Sequence, residues 1–175
     1  HQQLSYCVTQ FVEKDPKLAV KVLSSILKYW PKTFSAKEVL YLNEVEEILE
    51  MVQAPEFALI LKPLFTRIAL CVGSPHFQVA ERALFLWNNE YIVSLIANSR
   101  DKVLPLVFEA LYTNSRQHWN STVHGLTCNV VLVNATSAPT SSSCQTKLVR
   151  RTRVYIQRVS SVAGPGIMMV TTPHP

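Results

Sequence analysis

Several groups of residues in this 175-residue chain could in principle do chemistry. His124 and Cys128 stand four apart on a helical pattern, with His118 shortly before them, which brings together the nitrogen and sulfur donors that zinc favours. A structural zinc takes four ligands and no fourth presents itself, so a buried thiol and a loop imidazole are the simpler reading, and no metal is expected. His76, Glu81 and Arg82 place an imidazole, a carboxylate and a guanidinium close together, the ingredients of acid–base work. Catalysis needs groups with convergent roles, and no Gly-x-Ser-x-Gly, His-Glu-x-x-His, phosphate-binding or dinucleotide-binding loop accompanies them. A salt-bridged, partly exposed helix face is expected there, with no enzyme activity and no cofactor.

Four cysteines, Cys7, Cys71, Cys128 and Cys144, lie far apart without a Cys-x-x-Cys pair. Reduced thiols in an intracellular protein are therefore expected. Glu44, Glu46, Glu47 and Glu50 crowd one helix and read as a solvated acidic surface; the functional version would receive a basic partner segment. Charge is unevenly spread. Residues 1–119 hold twelve Lys/Arg and twelve Asp/Glu, whereas residues 120–175 hold Lys147, Arg150, Arg151, Arg153 and Arg158 and no acid. That tract could suggest nucleic acid or an anionic membrane, and Val154 and Ile156 alternate as in a short strand. Its Ser/Thr-rich lead-in and Gly164-Pro165-Gly166 favour disorder instead, so neither partner is expected and no stable fold is expected beyond about residue 132.

The elements that would position these groups are helices. Leu4, Cys7, Val8, Phe11 and Val12 follow the spacing of one buried helix face. Asp15-Pro16 and Ser74-Pro75 read as N-caps followed by proline at the first helical position, and Ser35-Ala-Lys-Glu38 as a capping box. Ala19, Val22, Leu23, Ile26, Leu27 and Trp30 make the next stripe, and Tyr41, Val45, Ile48, Leu49 and Val52 another. Phe57, Ile60, Leu61, Leu64 and Ile68 follow up to Gly73 at the usual C-terminal position. After Val79, Ala80, Ala83, Leu84 and Trp87, Asn88-Asn89 breaks the helix. Ile92, Leu95 and Ile96, then Val103, Val107 and Leu111, then Val123, Leu126 and Val130 complete the set. No segment before residue 129 alternates with period two, which predicts an all-α domain over residues 1–130.

The helices recur. Pro63 and Pro105, His76-Phe77 and His118-Trp119, and Leu42, Leu84 and Leu126 are each 42 residues apart. A two-helix unit of this length is what HEAT-type repeats show, and the expected architecture is a HEAT-like or armadillo-type α-α superhelix. The interior prolines would be tolerated by packing against neighbouring helices. Solenoids present long surfaces for protein binding.

Cys7-Val-x-Gln-Phe-x-Glu-Lys-Asp15, Leu27-Lys-Tyr-Trp-Pro-Lys-Thr33, Ser74-Pro-His-Phe-Gln-Val-Ala-Glu-Arg-Ala-Leu84, Trp87-Asn-Asn-Glu-Tyr-Ile92 and His118-Trp-Asn120 together resemble the B-prime (56-kDa) family of regulatory subunits of protein phosphatase 2A. The resemblance runs from residue 1 to about residue 130. It implies a HEAT-like, non-catalytic regulator that binds the scaffold and catalytic subunits and selects phosphoprotein substrates in signal transduction. It also implies that the groove for short substrate motifs lies upstream of this segment. By the same analogy the intra-repeat turns carry the contacts: Trp30, Pro31, Lys32 and Thr33, then His76, Gln78 and Arg82, then His118 and Trp119. After Cys128-Asn129-Val130 the chain departs from the family pattern, as an alternative exon, retained intron or frame change would produce. Beginning at His1, it reads as a fragment or processed product. A free-standing helical adaptor, or a truncated product unable to assemble fully, are the alternative readings.

Overall fold

The computed structural model describes residues 2–136. The expectations for the tail and Cys144 lie outside them. Among the described residues the secondary structure is helical throughout: α1 (Gln2–Lys14), α2 (Leu18–Lys28), α3 (Ser35–Leu49), α4 (Ala54–Val72), α5 (Phe77–Phe85), a 3₁₀ turn (Leu86–Asn88), α6 (Glu90–Asn98), α7 (Arg100–Gln117) and α8 (Ser121–Thr136). Two units are distinguished, His1–Thr127 and Cys128–Pro175. Of the second, the part of α8 from Cys128 to Thr136 is described; α8 thus carries on past the composition boundary near residue 130.

Within the first unit the helices form two layers. One stacks α2, α4 and α7 side by side; the other runs from α1 to α3 to α5, and α2–α3 and α4–α5 join the layers. This is the pairing of a HEAT-like solenoid, each helix lying on its equivalent one repeat away. The apolar stripes meet in the core: Leu23 and Ile26 from α2, Val45, Ile48 and Leu49 from α3, Ile60, Leu64, Phe65 and Ile68 from α4, Val79, Ala80 and Leu84 from α5, and Val103, Val107 and Leu111 from α7 are all buried. Phe65 stands edge-on to both Phe57 and Trp87, with centroids 6.0 and 6.4 Å apart.

Polar bonds across a repeat hold the stacking in register. The buried Asn114 amide of α7 donates to the carbonyl of Val72 at the end of α4, 42 residues earlier. Tyr91 donates its hydroxyl to the Val52 carbonyl at 2.7 Å, and Asn89 donates to Glu50 Oε1 at 2.6 Å, each pair 39 residues apart. Asn89 also accepts from the amides of Tyr91 and Ile92 as the N-cap of α6. The Asn88-Asn89 break therefore ends one helix, caps the next and ties both to the previous repeat.

Several local expectations are corrected. Ser35 does not cap α3; the N-cap is Phe34, without a side-chain bond, and Glu38 is drawn away by Trp30, whose indole N–H it accepts at 2.8 Å. α5 starts at Phe77 with His76 as N-cap, because the Ser74 hydroxyl accepts from the His76 amide and closes a turn before the helix. Asp15 likewise caps a turn through the Lys17 amide, and α2 begins at Leu18. On α1 Val12 is buried, whereas Leu4, Cys7 and Phe11 are exposed, because α2 and α3, on which it packs, cover only one side of it. Pro63 and Pro105 are exposed rather than packed on neighbours. Each removes an amide that would bond the carbonyl four residues earlier, at Leu59 and Asp101, and both those residues are exposed, where solvent can take the lost bond.

Gly73 follows α4 with φ −80°, so it supplies no left-handed turn, and a Cβ there would meet only ordinary contacts at 3.5 Å or more. Gly73→Ala is therefore expected to leave stability unchanged or raise it by up to about 1 kcal/mol through the unfolded chain. Asn114→Ala, which orphans the Val72 carbonyl, should cost about 1–3 kcal/mol. Urea midpoints of the two variants would check both.

Candidate partner-binding surface

The C-terminal ends of α2, α4 and α7 each lead into a turn, residues 29–34, 73–76 and 118–120, and then into a helix of the other layer. Because α2 lies on α4 and α4 on α7, these turns follow one another along one edge. All the residues singled out as partner contacts except Gln78 and Arg82 lie in these turns.

At the first turn the chain leaves α2 with Trp30 turned inward. Its ring is buried, stands edge-on to Tyr41 at 5.7 Å and 88°, and carries the Arg67 guanidinium 5.8 Å from its centroid. With its N–H on Glu38, Trp30 is a packing anchor of the turn. Pro31 is half-buried, while Lys32 and Thr33 are exposed.

The other two turns come together. His76 stacks on Phe77 at 5.8 Å and 7°, Phe77 stands edge-on to Trp119 at 5.9 Å and 80°, and His118 stacks on Trp119 at 5.9 Å. Trp119 also donates its indole N–H to the Pro75 carbonyl at 3.4 Å, yet remains 70% exposed. The His118 ring accepts from the Asn120 amide at 3.1 Å, and the Asn120 side chain accepts from the Thr122 and Val123 amides to start α8. The two His-aromatic pairs, 42 residues apart in sequence, thus form one ladder across two repeats. Phe77, which holds it together, was not among the residues expected to make contacts; its 42-residue spacing from Trp119 was the available signal.

Arg82 is placed differently from expectation. It does not pair with the adjacent Glu81; it reaches back across the repeat to α3, where Nε donates to Asn43 Oδ1 and Nη2 to Glu46 Oε2. Adjacent helical residues point in different directions, whereas the face of α5 carrying Arg82 lies on α3. Half-buried and paired, Arg82 ties repeats together, and the exposed Gln78 is the member of its helix left facing solvent.

This also changes the acidic helix. Glu46 is occupied by Arg82, Glu50 by Asn89, and Glu44 is buried; Glu47 alone of the four is an exposed carboxylate without a cross-repeat bond. Burial, helped by the neighbouring Glu47 charge, raises the Glu44 carboxyl above its ordinary value. Burial likewise pushes the Cys71 thiol up to about 12, with Glu38 adding and Arg67 opposing, and raises Cys128. These are inert thiols, the reverse of activated nucleophiles. Among the described residues no group of three or more His, Cys, Asp and Glu could hold a metal.

The motif-level likeness extends to a match along the chain. The family described as protein phosphatase 2A regulatory B subunit (B56 family) matches residues 1–157. The chain belongs to the B56 family. Relatives of this B56 chain include the serine/threonine-protein phosphatase 2A 56 kDa regulatory subunit delta isoform of Oryctolagus cuniculus, 56% identical over 131 residues, which are 75% of this chain and 22% of that protein. The B' eta isoform of the 59 kDa regulatory subunit in Arabidopsis thaliana is 61% identical over 130 residues, 74% of this chain and 26% of that protein. The regulatory subunit pptr-1 of Caenorhabditis elegans is 54% identical over 131 residues, 75% of this chain and 24% of that protein. The B56 chain spans about a quarter of the length of these curated relatives.

Two solution measurements follow. The raised Glu44 carboxyl means that the folded state holds a proton there more tightly than the unfolded chain, so this group's contribution falls as pH rises through the folded-state value. Glu44→Gln should therefore stabilise at pH 7, and the gain should shrink as pH falls through the carboxylate range; denaturant melts at pH 7 and pH 4 would read it. With Cys71 at about 12, its thiolate fraction at pH 8 is about one in ten thousand. A thiol reagent at that pH should modify exposed Cys7 at once and Cys71 only after denaturant is added.

Proposed function

We propose that this chain is a non-catalytic regulatory segment of protein phosphatase 2A, binding the scaffold and catalytic subunits through the edge of intra-repeat turns and helping to direct the enzyme to phosphoprotein substrates. The observation that carries the reading is the B56 family match, which spans the whole helical unit. The curated relatives are named as regulatory subunits of that phosphatase. The edge supports a binding role physically. Lys32, Thr33, Gln78 and Trp119 stay exposed on it, and an indole held in place by a stacked ladder loses little side-chain freedom when a partner covers it. Trp30 and Arg82 contribute by fixing the turns, and Pro31, His76 and His118 by shaping them.

In this reading residues 1–130 are the docking part and residues 131–175 a basic appendage. The setting is inside the cell, in cytoplasm or nucleus, where the free thiols Cys7, Cys71 and Cys128 stay reduced. No helix among the described residues is long and apolar enough to cross a membrane.

Size-exclusion chromatography of this chain with the scaffold–catalytic heterodimer tests the proposal. Co-elution is expected, and Trp119→Ala and Lys32→Glu should each weaken it, the former by about 2 kcal/mol if Trp119 is a central anchor. Lys32 is exposed, so the helical melt of Lys32→Glu by circular dichroism should be unchanged, while Trp119→Ala, which also loses the contacts to Phe77 and Pro75, should still melt cooperatively from the same helical content. Separate elution of wild type and core enzyme, or variants that bind as wild type does, would sink the assignment.

A further inference from the structure

α2 and α4 do not close on each other completely. Between them lies a groove of about 400 Å³ lined by Leu27, Lys62, Pro63, Thr66, Arg67 and Leu70. Its size lies within the roughly 300–1,000 Å³ range of sites that take small ligands or single side chains. Leu27, Pro63 and Leu70 make its lining largely apolar, and Leu70 stands 60% exposed although it belongs to a helix that is otherwise a major core element. An apolar recess with an uncovered leucine at its rim fits an apolar side chain from outside.

Its charge selects the occupant. Lys62 and Arg67 both line the groove, and neither forms an ion pair with a carboxylate among the described residues. α2 contains two lysines and no acid, and the single acid of α4 is Glu56 in its first turn, about 9 Å along the axis from Lys62 and 16 Å from Arg67 at 1.5 Å per residue. Glu38 accepts the bond from the Trp30 indole on whose ring the Arg67 guanidinium rests. Arg67 Nε is itself buried and has no acceptor among the described residues. The buried Nε leaves the guanidinium short of an acceptor, and a carboxylate brought into the groove that Arg67 lines would offset its charge. Residues 120–175 contain no Asp or Glu side chain to meet these cations.

We propose that the α2–α4 groove binds an acidic peptide segment of a partner protein, seating one apolar side chain on Leu27, Pro63 and Leu70 while flanking carboxylates meet Lys62 and Arg67. The groove lies on α2 and α4 and adjoins the first intra-repeat turn through the Arg67–Trp30 contact, and it is tested without the core enzyme so that its failure is distinct from failure of phosphatase binding.

The test is fluorescence anisotropy of the full chain with a labelled peptide in which one leucine is flanked by glutamates. Binding should be saturable and weaken with added salt. Replacing the peptide's glutamates by glutamine, or its leucine by alanine, should each lower affinity about tenfold, and Lys62→Glu in the protein should do the same, the equivalent of about 1.4 kcal/mol. Leu70→Ala, also at an exposed position, should reproduce the leucine effect, and unchanged circular dichroism would certify both variants. No binding up to millimolar peptide, or equal binding by wild type and Lys62→Glu, would overturn the proposal. So would a preference for the lysine version of the peptide, or concentration-dependent self-association that Lys62→Glu abolishes in place of peptide binding.

Discussion

Stacking between equivalent helices is the constraint on which the other features rest. α2, α4 and α7 each bury a face against the next, and a helix with an apolar stripe is stable only when something of the same periodicity covers it. The 42-residue spacing supplies that cover repeatedly, and polar bonds at separations of 39 and 42 residues prevent the copies from sliding. The bond from Asn114 to Val72 is the innermost of these. It joins a buried amide to the last carbonyl-bearing turn of the neighbouring helix, a group the helix itself leaves unsatisfied. A slip of one residue would leave both groups buried and unpaired.

The same constraint creates the surface. Because repeats stack in register, the turns that end α2, α4 and α7 are forced onto one edge, and side chains 42 residues apart become neighbours. The ladder from His76 through Phe77 and Trp119 to His118 is a by-product of register, and it fixes an exposed indole at the position where a partner could use it. Electrostatics are organised in the same way. The carboxylates of α3, which look like an exposed acidic strip, are largely spent on the next repeat, since Arg82 and Asn89 take Glu46 and Glu50. In the other layer Lys62 and Arg67 line a groove that the stacking leaves open, without a carboxylate partner among the described residues.

Helix identity, the all-α class, the repeat interval and the family were legible in the chain itself. They depend on short-range regularities: apolar residues every three to four positions, proline and asparagine breaks, and family-specific strings such as Ser74–Arg82 and Trp87–Ile92. Part of the candidate surface was legible too, since the paired His-aromatic turns announced themselves by spacing. Capping was less legible. Ser35 and Ser74 satisfy the sequence rule for helix starts, yet Glu38 is claimed by Trp30 and Ser74 closes a preceding turn, because a hydrogen-bond donor has a choice of acceptors that only the folded chain resolves.

By itself the sequence determined which segments are helical, which of their faces are apolar, and which family the chain belongs to, because each is encoded within one helix turn or one contiguous motif. Only the tertiary structure decided which polar residues are structural and which are available. Trp30 and Arg82 were expected at the surface and are internal ties, Glu44 was expected in solvent and is buried, and the Lys62–Arg67 groove had no sequence signal at all. The physical reason is that burial and ion pairing are properties of two helices brought together from about forty residues apart. Local composition describes each helix alone and cannot state what the facing helix will satisfy, cover or leave exposed.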